Sequence, residues 1–259
     1  MGGFFGKPDY GTPEGAYSWQ HLLFVSILLI LMVGLAILLG LKNKNKNDVI
    51  KNKVLIWAAF LIDGFELFKI AFNLGSSPDG SSWKRDLPLF LCSIQLIAIP
   101  LAAFSKGRLK EASLDFVFIF GLLGGVLGTV GAAQNYNAYP VLSFPNVVSG
   151  ITHSLSGFAS LYIVISGMDS MKKKNLPFVL LILTVFCVLA YIANITLDYN
   201  YMFLMYHDNT PYQFFYDLVG GNPIIYPLLV VGFFYLYIWA FVYIYNLIKN
   251  KRTAKSQNL

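Results

Sequence analysis

Seven apolar runs follow one another through this chain, over residues 18–41, 54–74, 87–104, 114–134, 146–168, 176–197 and 223–248. A helix needs about 20 mostly apolar residues to cross a bilayer, so these runs predict an all-α, polytopic membrane protein with seven transmembrane helices. Composition agrees, because a chain that is 56% hydrophobic and 12% charged has too little polar surface to face water. The second run is the least apolar, being interrupted by Asp63, Glu66 and Lys69. The first is followed, not preceded, by lysines and lacks a small-x-small cleavage pattern, so it reads as a span and not as a signal peptide.

Basic residues set the expected orientation. Lys42, Lys44, Lys46, Lys51 and Lys53 fill the first connection, Lys106, Arg108 and Lys110 the third, Lys172, Lys173 and Lys174 the fifth, and Lys249, Lys251, Arg252 and Lys255 the tail. The alternate connections carry only Lys84 and Arg85 in the second and none in the fourth or sixth. An odd number of spans puts every cluster on one side, which predicts N-terminus out and C-terminus in. The net charge of +6 is therefore an orientation signal, and nucleic acid is not an expected partner. No repeat, low-complexity stretch or soluble appendage interrupts the pattern, so residues 1–259 read as a single bundle in a cell membrane.

Polar residues inside the runs converge on one level. Asp86 and Pro88 read as the cap and first turn of the third helix, which puts Cys92 about 8 Å below the outer edge at 1.5 Å per residue, with Gln95 beside it. By the same rise His153 lies about 10 Å down, Glu66 about 12 Å and Asn194 about 6 Å. On the fifth run Asn146, Ser149, Gly150, His153, Ser156, Gly157 and Ser160 recur at helical spacing, a stripe expected to face protein. Gly121, Gly124, Gly125, Gly128 and Gly131 on the fourth run would allow close helix approach. They do not form a phosphate loop, since no strand precedes them and no Lys-Ser/Thr follows.

A thiol in hydrocarbon is a weak nucleophile unless a neighbour takes its proton. An imidazole can do so, and a carboxylate can orient the imidazole, so Cys92, His153 and Glu66 have the residue types of a nucleophile, base and orienter. Were they to meet, Cys92 would attack an ester carbonyl and pass the acyl group through a thioester to water or an alcohol. Each residue also has a plainer reading. Cys92 can be a small packing residue, His153 a structural hydrogen-bonder, and Glu66 and Lys69 a self-neutralising pair. Cys187 reads as structural, and His21 and His207 as interfacial or extramembrane, with no role in a site. No CxxC or Cys/His ladder suggests a disulfide or zinc, so no metal or cofactor is expected.

The motifs Leu87-Pro88-Leu89-Phe90-Leu91-Cys92, His153 after Asn146, Asn200-Tyr201-Met202-Phe203-Leu204, and Asn222-Pro223 with Tyr226 together resemble the YwaF family of bacterial membrane proteins. The resemblance runs from the second helix to the seventh. It implies kinship with an animal membrane acyltransferase that remodels ether phospholipids and, more distantly, with threonine/histidine hydrolases of branched fatty-acid esters. It also implies that Cys92 and His153 are the catalytic pair, and their shared level in the outer third of the membrane points to an outer-leaflet lipid as the substrate. Glu66, Lys69, Gln95, Asn146, Asn194, Asn200 and Tyr201 are the expected supporting residues. One departure is Phe90, where many relatives carry histidine. Two other functions stay open: a proton-coupled carrier using Asp63, Glu66, Lys69 and His153, or a noncatalytic sensor or partner protein contacting others through its sixth connection. The oligomeric state is not legible.

Overall fold

The computed structural model describes residues 4–5, 11–76, 82–169, 171–208 and 210–257, the side chains of 252–257 excepted. Arg252 and Lys255 of the basic tail therefore have no described side chains. The described residues fold as helices joined by turns, in two compact units, Met1–Ser170 and Met171–Leu259.

The first unit contains α1 (Trp19–Asn43), α2 (Asp48–Ser76), α3 (Trp83–Asp86), α4 (Gln95–Phe104), α5 (Gly107–Leu127), α6 (Ala133–Ala138) and α7 (Phe144–Ser166). Its centre is α7, which packs against α5, α1 and α2. The small residues of the α7 stripe explain this. Gly157 lies against the Gly125 backbone of α5 and Met32 of α1, and Gly150 lies against Leu28 and Phe24 of α1. Its serines tie α7 to α5, Ser156 Oγ donating to the Gly121 carbonyl (3.3 Å) and Ser160 Oγ to that of Phe118 (2.8 Å). Between such neighbours, residues 112–121 of α5 are all buried. At one end of the unit Tyr162 donates to the Lys51 carbonyl (3.0 Å) and accepts from Asn43 Nδ2 (3.3 Å), joining α7 to α1 and α2. Asn52 joins α2 to α4 and α5 by donating to the Ala103 carbonyl (2.8 Å) and accepting from Lys110 (2.7 Å).

His21, expected at an interface, is fully buried. Its Nδ1 accepts from the Tyr17 N–H (2.9 Å), so Nε2 carries the proton and faces the Thr129 carbonyl at 3.4 Å, with the ring lying on Tyr136. It fastens the start of α1 to the connection after α5, and the side chains of Glu14 and Asn137 add bonds between the same two segments.

The third apolar run departs from expectation. Asp86 ends the short α3 and does not cap a long helix; residues 87–94 form a succession of turns, and regular helix begins at Gln95. Two causes act together. Pro88 has no N–H to give to a helix, and the Asp86 carboxylate is engaged by Asn73 and Lys69 instead of by backbone N–H groups. The depth assigned to Cys92 from a helical rise therefore does not apply. Irregular backbone within an apolar run is tolerated where it is enclosed by protein or lines a cavity, and this stretch lines one.

In the second unit a 3-10 turn (Lys173–Asn175) leads into α8 (Leu176–Leu197), a second 3-10 turn (Tyr201–Phe203), α9 (Gln213–Leu218) and α10 (Ile225–Gln257). α8 stops at Asp198, which has φ 52° and is left-handed. Met202 and Phe203 follow with φ 54° and 57°, conformations that cost about 1–3 kcal/mol each at non-glycine positions. Asn194 and Asn200 hold this loop. Asn194 Oδ1 accepts from the Tyr201 N–H (2.6 Å) and its Nδ2 donates to the Tyr201 carbonyl (3.0 Å). Asn200 bridges Met205 and Tyr206 in the same way. Cys187 is buried with its sulfur 3.8 Å from that of Met202. Replacing Asn194 by alanine strands two buried backbone groups, and a loss of about 2–4 kcal/mol is expected, read as a lower unfolding midpoint in mixed micelles.

Among the described residues, four helical stretches are long and apolar enough to cross a membrane: Trp19–Asn43, Phe144–Ser166, Lys173–Leu197 and Ile225–Lys251. α4 is apolar but spans only 10 residues, whereas α2 and α5 have the length but carry charges.

Candidate functional site

A cleft of about 60 Å³ opens within the first unit. α2 contributes Ile62, Glu66 and Lys69; the turns before α4 contribute Cys92 and Ser93, and Leu96 follows from α4 itself. α7 completes it with Ser149, Thr152, His153 and Ser156. Four residues expected to share a site, Cys92, His153, Glu66 and Lys69, are thus brought into one cavity although they come from three separate stretches of chain. The α7 residues recur at steps of three and four, so one helical face supplies them all.

The glycine face of α5 organises the two central groups. A Cβ built on Gly124 would stand 3.6 Å from the Cys92 Cβ and 3.9 Å from Ser156 Oγ. One turn further along α5, a Cβ on Gly128 would run into the His153 ring. Cys92 and His153 therefore lie against successive turns of one helix. The imidazole faces the Gly124 carbonyl and the Cys92 thiol is beside Ser93.

Charge in the cleft is concentrated on α2. Lys69 Nζ lies 2.6 Å from Glu66 Oε1, one turn away, and 3.8 Å from Asp86 Oδ1. Asn73 donates to the other Asp86 oxygen (2.8 Å), and Arg85 Nε lies 3.6 Å from Oδ1. Glu66 is thus spent on Lys69, and the neighbour of the imidazole is a backbone carbonyl where the residue types had suggested a carboxylate. Asp86, read from the sequence as a cap, is a buried member of this ion network.

The other expected supporting residues have different surroundings. Asn146 donates to the carbonyls of Tyr139 and Pro140 (both 3.0 Å), bracing the connection ahead of α7. Gln95 is fully buried, and neither of its side-chain amide atoms has a hydrogen-bond partner among the described residues. Asn194, Asn200 and Tyr201 belong to the second unit, where both asparagine amides bind backbone of their own loop. Thr152 and Ser93 were not singled out from sequence. Thr152 is one residue from the imidazole, and Ser93 is adjacent to the thiol, but neither stands out by residue type alone.

Size decides what the cleft can take. A buried water needs roughly 10–15 Å³ of such space, so there is room for about four waters or for a carbonyl and its immediate substituents. A fatty chain would have to remain outside. Most of the lining side chains are polar, with Ile62 and Leu96 as the apolar exceptions.

The family model described as TMEM164 family matches residues 16–245. No curated protein matches the chain, and no solved structure does.

Proposed function

We propose that this chain, which belongs to the TMEM164 family of membrane proteins, transfers acyl groups through a thioester on Cys92, with His153 as the base. The observation that carries the reading is the shared cleft of Cys92 and His153. The likeness to YwaF proteins and acyltransferases in the motif ending at Cys92 points the same way. In the arrangement proposed here all seven apolar runs cross a cell membrane, N-terminus out and C-terminus in, so that the cleft meets the outer leaflet. The substrate is an ester of a membrane lipid, seated with its carbonyl in the cleft and its chain in the bilayer.

With one ring nitrogen of His153 turned to the Gly124 carbonyl as a hydrogen-bond donor, the other is left to accept a proton. As Cys92 Sγ attacks the ester carbonyl, that nitrogen takes the thiol proton; the C–O bond then breaks and the proton passes to the departing alcohol. Water or a second alcohol next attacks the thioester carbon and loses its proton to His153. The C–S bond breaks, and the proton returns to sulfur.

Purified protein given an ester lipid with an alkyne-tagged acyl chain should retain a hydroxylamine-sensitive tag that mass spectrometry places on Cys92. Cys92→Ala should retain none, and His153→Ala should acylate about 100-fold or more slowly. Equal tagging of all three proteins would overturn the assignment. A carrier draws its support from the acidic and basic side chains that follow one another along α2: Asp63, Glu66 and Lys69. Proton-driven solute flux in liposomes that survives Cys92→Ala, with no tagging of the wild type, would favour it.

A further inference from the structure

Glycines 124, 125 and 128 sit within five residues on one stretch of α5 and its cap, yet a side chain at each would meet something different. At Gly124 the nearest atoms are those of Cys92 and Ser156 at 3.6–3.9 Å, ordinary contact distances. At Gly125 they are the Gly157 backbone at 2.9 and 3.1 Å and the His153 carbonyl at 3.1 Å, so a side chain there would force two helices apart. At Gly128 the three nearest atoms are Nδ1, Cε1 and Cγ of His153, all in one ring and all too close for the ring to stay in place.

The backbone gives no other reason for glycine at this position. Gly128 has φ −76° and ψ −11°, which any residue adopts, and its N–H is bonded to the Gly124 carbonyl at 2.8 Å. What the site requires is empty volume.

We propose that Gly128 is a positioning residue for the His153 imidazole. The missing side chain leaves the slot in which the ring lies, and the same turn of α5 presents the Gly124 carbonyl that the ring faces. Alanine at 128 would push the ring by on the order of 1 Å, a displacement that commonly costs a hundredfold in rate when it falls on a catalytic base. The effect on catalysis rests on the Cys92–His153 reading above; the effect on the ring does not.

The two are separated by using histidine as its own reporter. The chain has three histidines, so protein labelled in the imidazole carbons yields few ring resonances, and His153→Ala assigns one set. In Gly128→Ala the His153 resonances should move while those of His207, in the second unit, stay. In Gly124→Ala the imidazole environment should be nearly unchanged, so the His153 resonances should shift far less than in Gly128→Ala. Acylation of Cys92 should fall roughly 100-fold in Gly128→Ala and stay within about twofold in Gly34→Ala, where a Cβ on α1 meets nothing within 4 Å.

A thermal cycle guards against simple misfolding. Gly128→Ala should lower the unfolding midpoint in the wild-type background and have no such effect on His153→Ala, where the slot is vacant. An unmoved His153 resonance, or an equal loss of stability with and without the imidazole, would overturn the assignment of Gly128. Absence of acylation in every variant, with the resonance shift and the thermal cycle intact, would overturn acyl transfer and leave the positioning role standing.

Discussion

Lys69→Met should be among the most damaging single changes in the first unit, costing about 3–5 kcal/mol. The ammonium sits between Glu66 at 2.6 Å and Asp86 at 3.8 Å, with the carboxylate side chains only 11% and 4% exposed. Removing the cation leaves two poorly solvated anions facing one another. Arg85 cannot fully replace it, because its side chain is 48% exposed and solvent screens its charge. The expected result is a markedly lower unfolding midpoint in a detergent titration. Adding Glu66→Gln to Lys69→Met should recover much of the loss, since taking away both members of a buried pair is far less costly than taking away one. A Lys69→Met protein with the wild-type midpoint would show that the network contributes nothing to the fold.

Gly125→Leu should cost about 3 kcal/mol for a different reason. The atoms in its way belong to the backbone of α7, and backbone cannot rotate aside as a side chain can. The whole α5–α7 contact, through which the serine bonds and the cleft are assembled, would have to open. Gly34 on α1 is the matching control: a Cβ there meets nothing within 4 Å, and Gly34→Leu should stay within about 0.5 kcal/mol of the wild type. Similar midpoints for the two variants would mean that close packing of α5 on α7 is not what holds this unit together.

Some boundaries were legible because local chemistry and tertiary packing agree. The sixth run, 176–197, coincides with α8, since Pro177 opens the helix and a left-handed Asp198 closes it. Elsewhere the limits of apolarity and of helix diverge. α5 begins at Gly107 and takes in Arg108, Lys110 and Glu111, good helix formers that an apolar run leaves out. It ends at Leu127, well short of residue 134, because the following glycine and threonine turn the chain towards α6. The third run failed most instructively: a capping aspartate and a first-turn proline are present, but the carboxylate is taken by Lys69 and Asn73 from another helix.

The residues of the cleft divide in the same way. Helical spacing on α7 put Ser149, His153 and Ser156 on one face without knowledge of any neighbour, because a period of 3.6 residues is a property of the chain itself. The serines of that stripe and the glycines facing it across α5 likewise announced a close helix contact. Beyond the open reading that Glu66 and Lys69 neutralise each other, which partner each polar group would choose was not legible. Glu66 pairs with Lys69, the imidazole faces a carbonyl, and Asn194 closes a loop of its own unit.

By itself the sequence established a helical membrane protein and the residue types available to its interior, since both follow from apolar content and periodicity that every segment carries alone. Only the tertiary structure decided that Cys92 leaves the helix for a turn, that it shares a cleft with His153, and that Gly128 makes room for the ring. Those outcomes depend on distances between segments remote in the chain, where a few tenths of an ångström separate contact from collision and no local pattern records the difference.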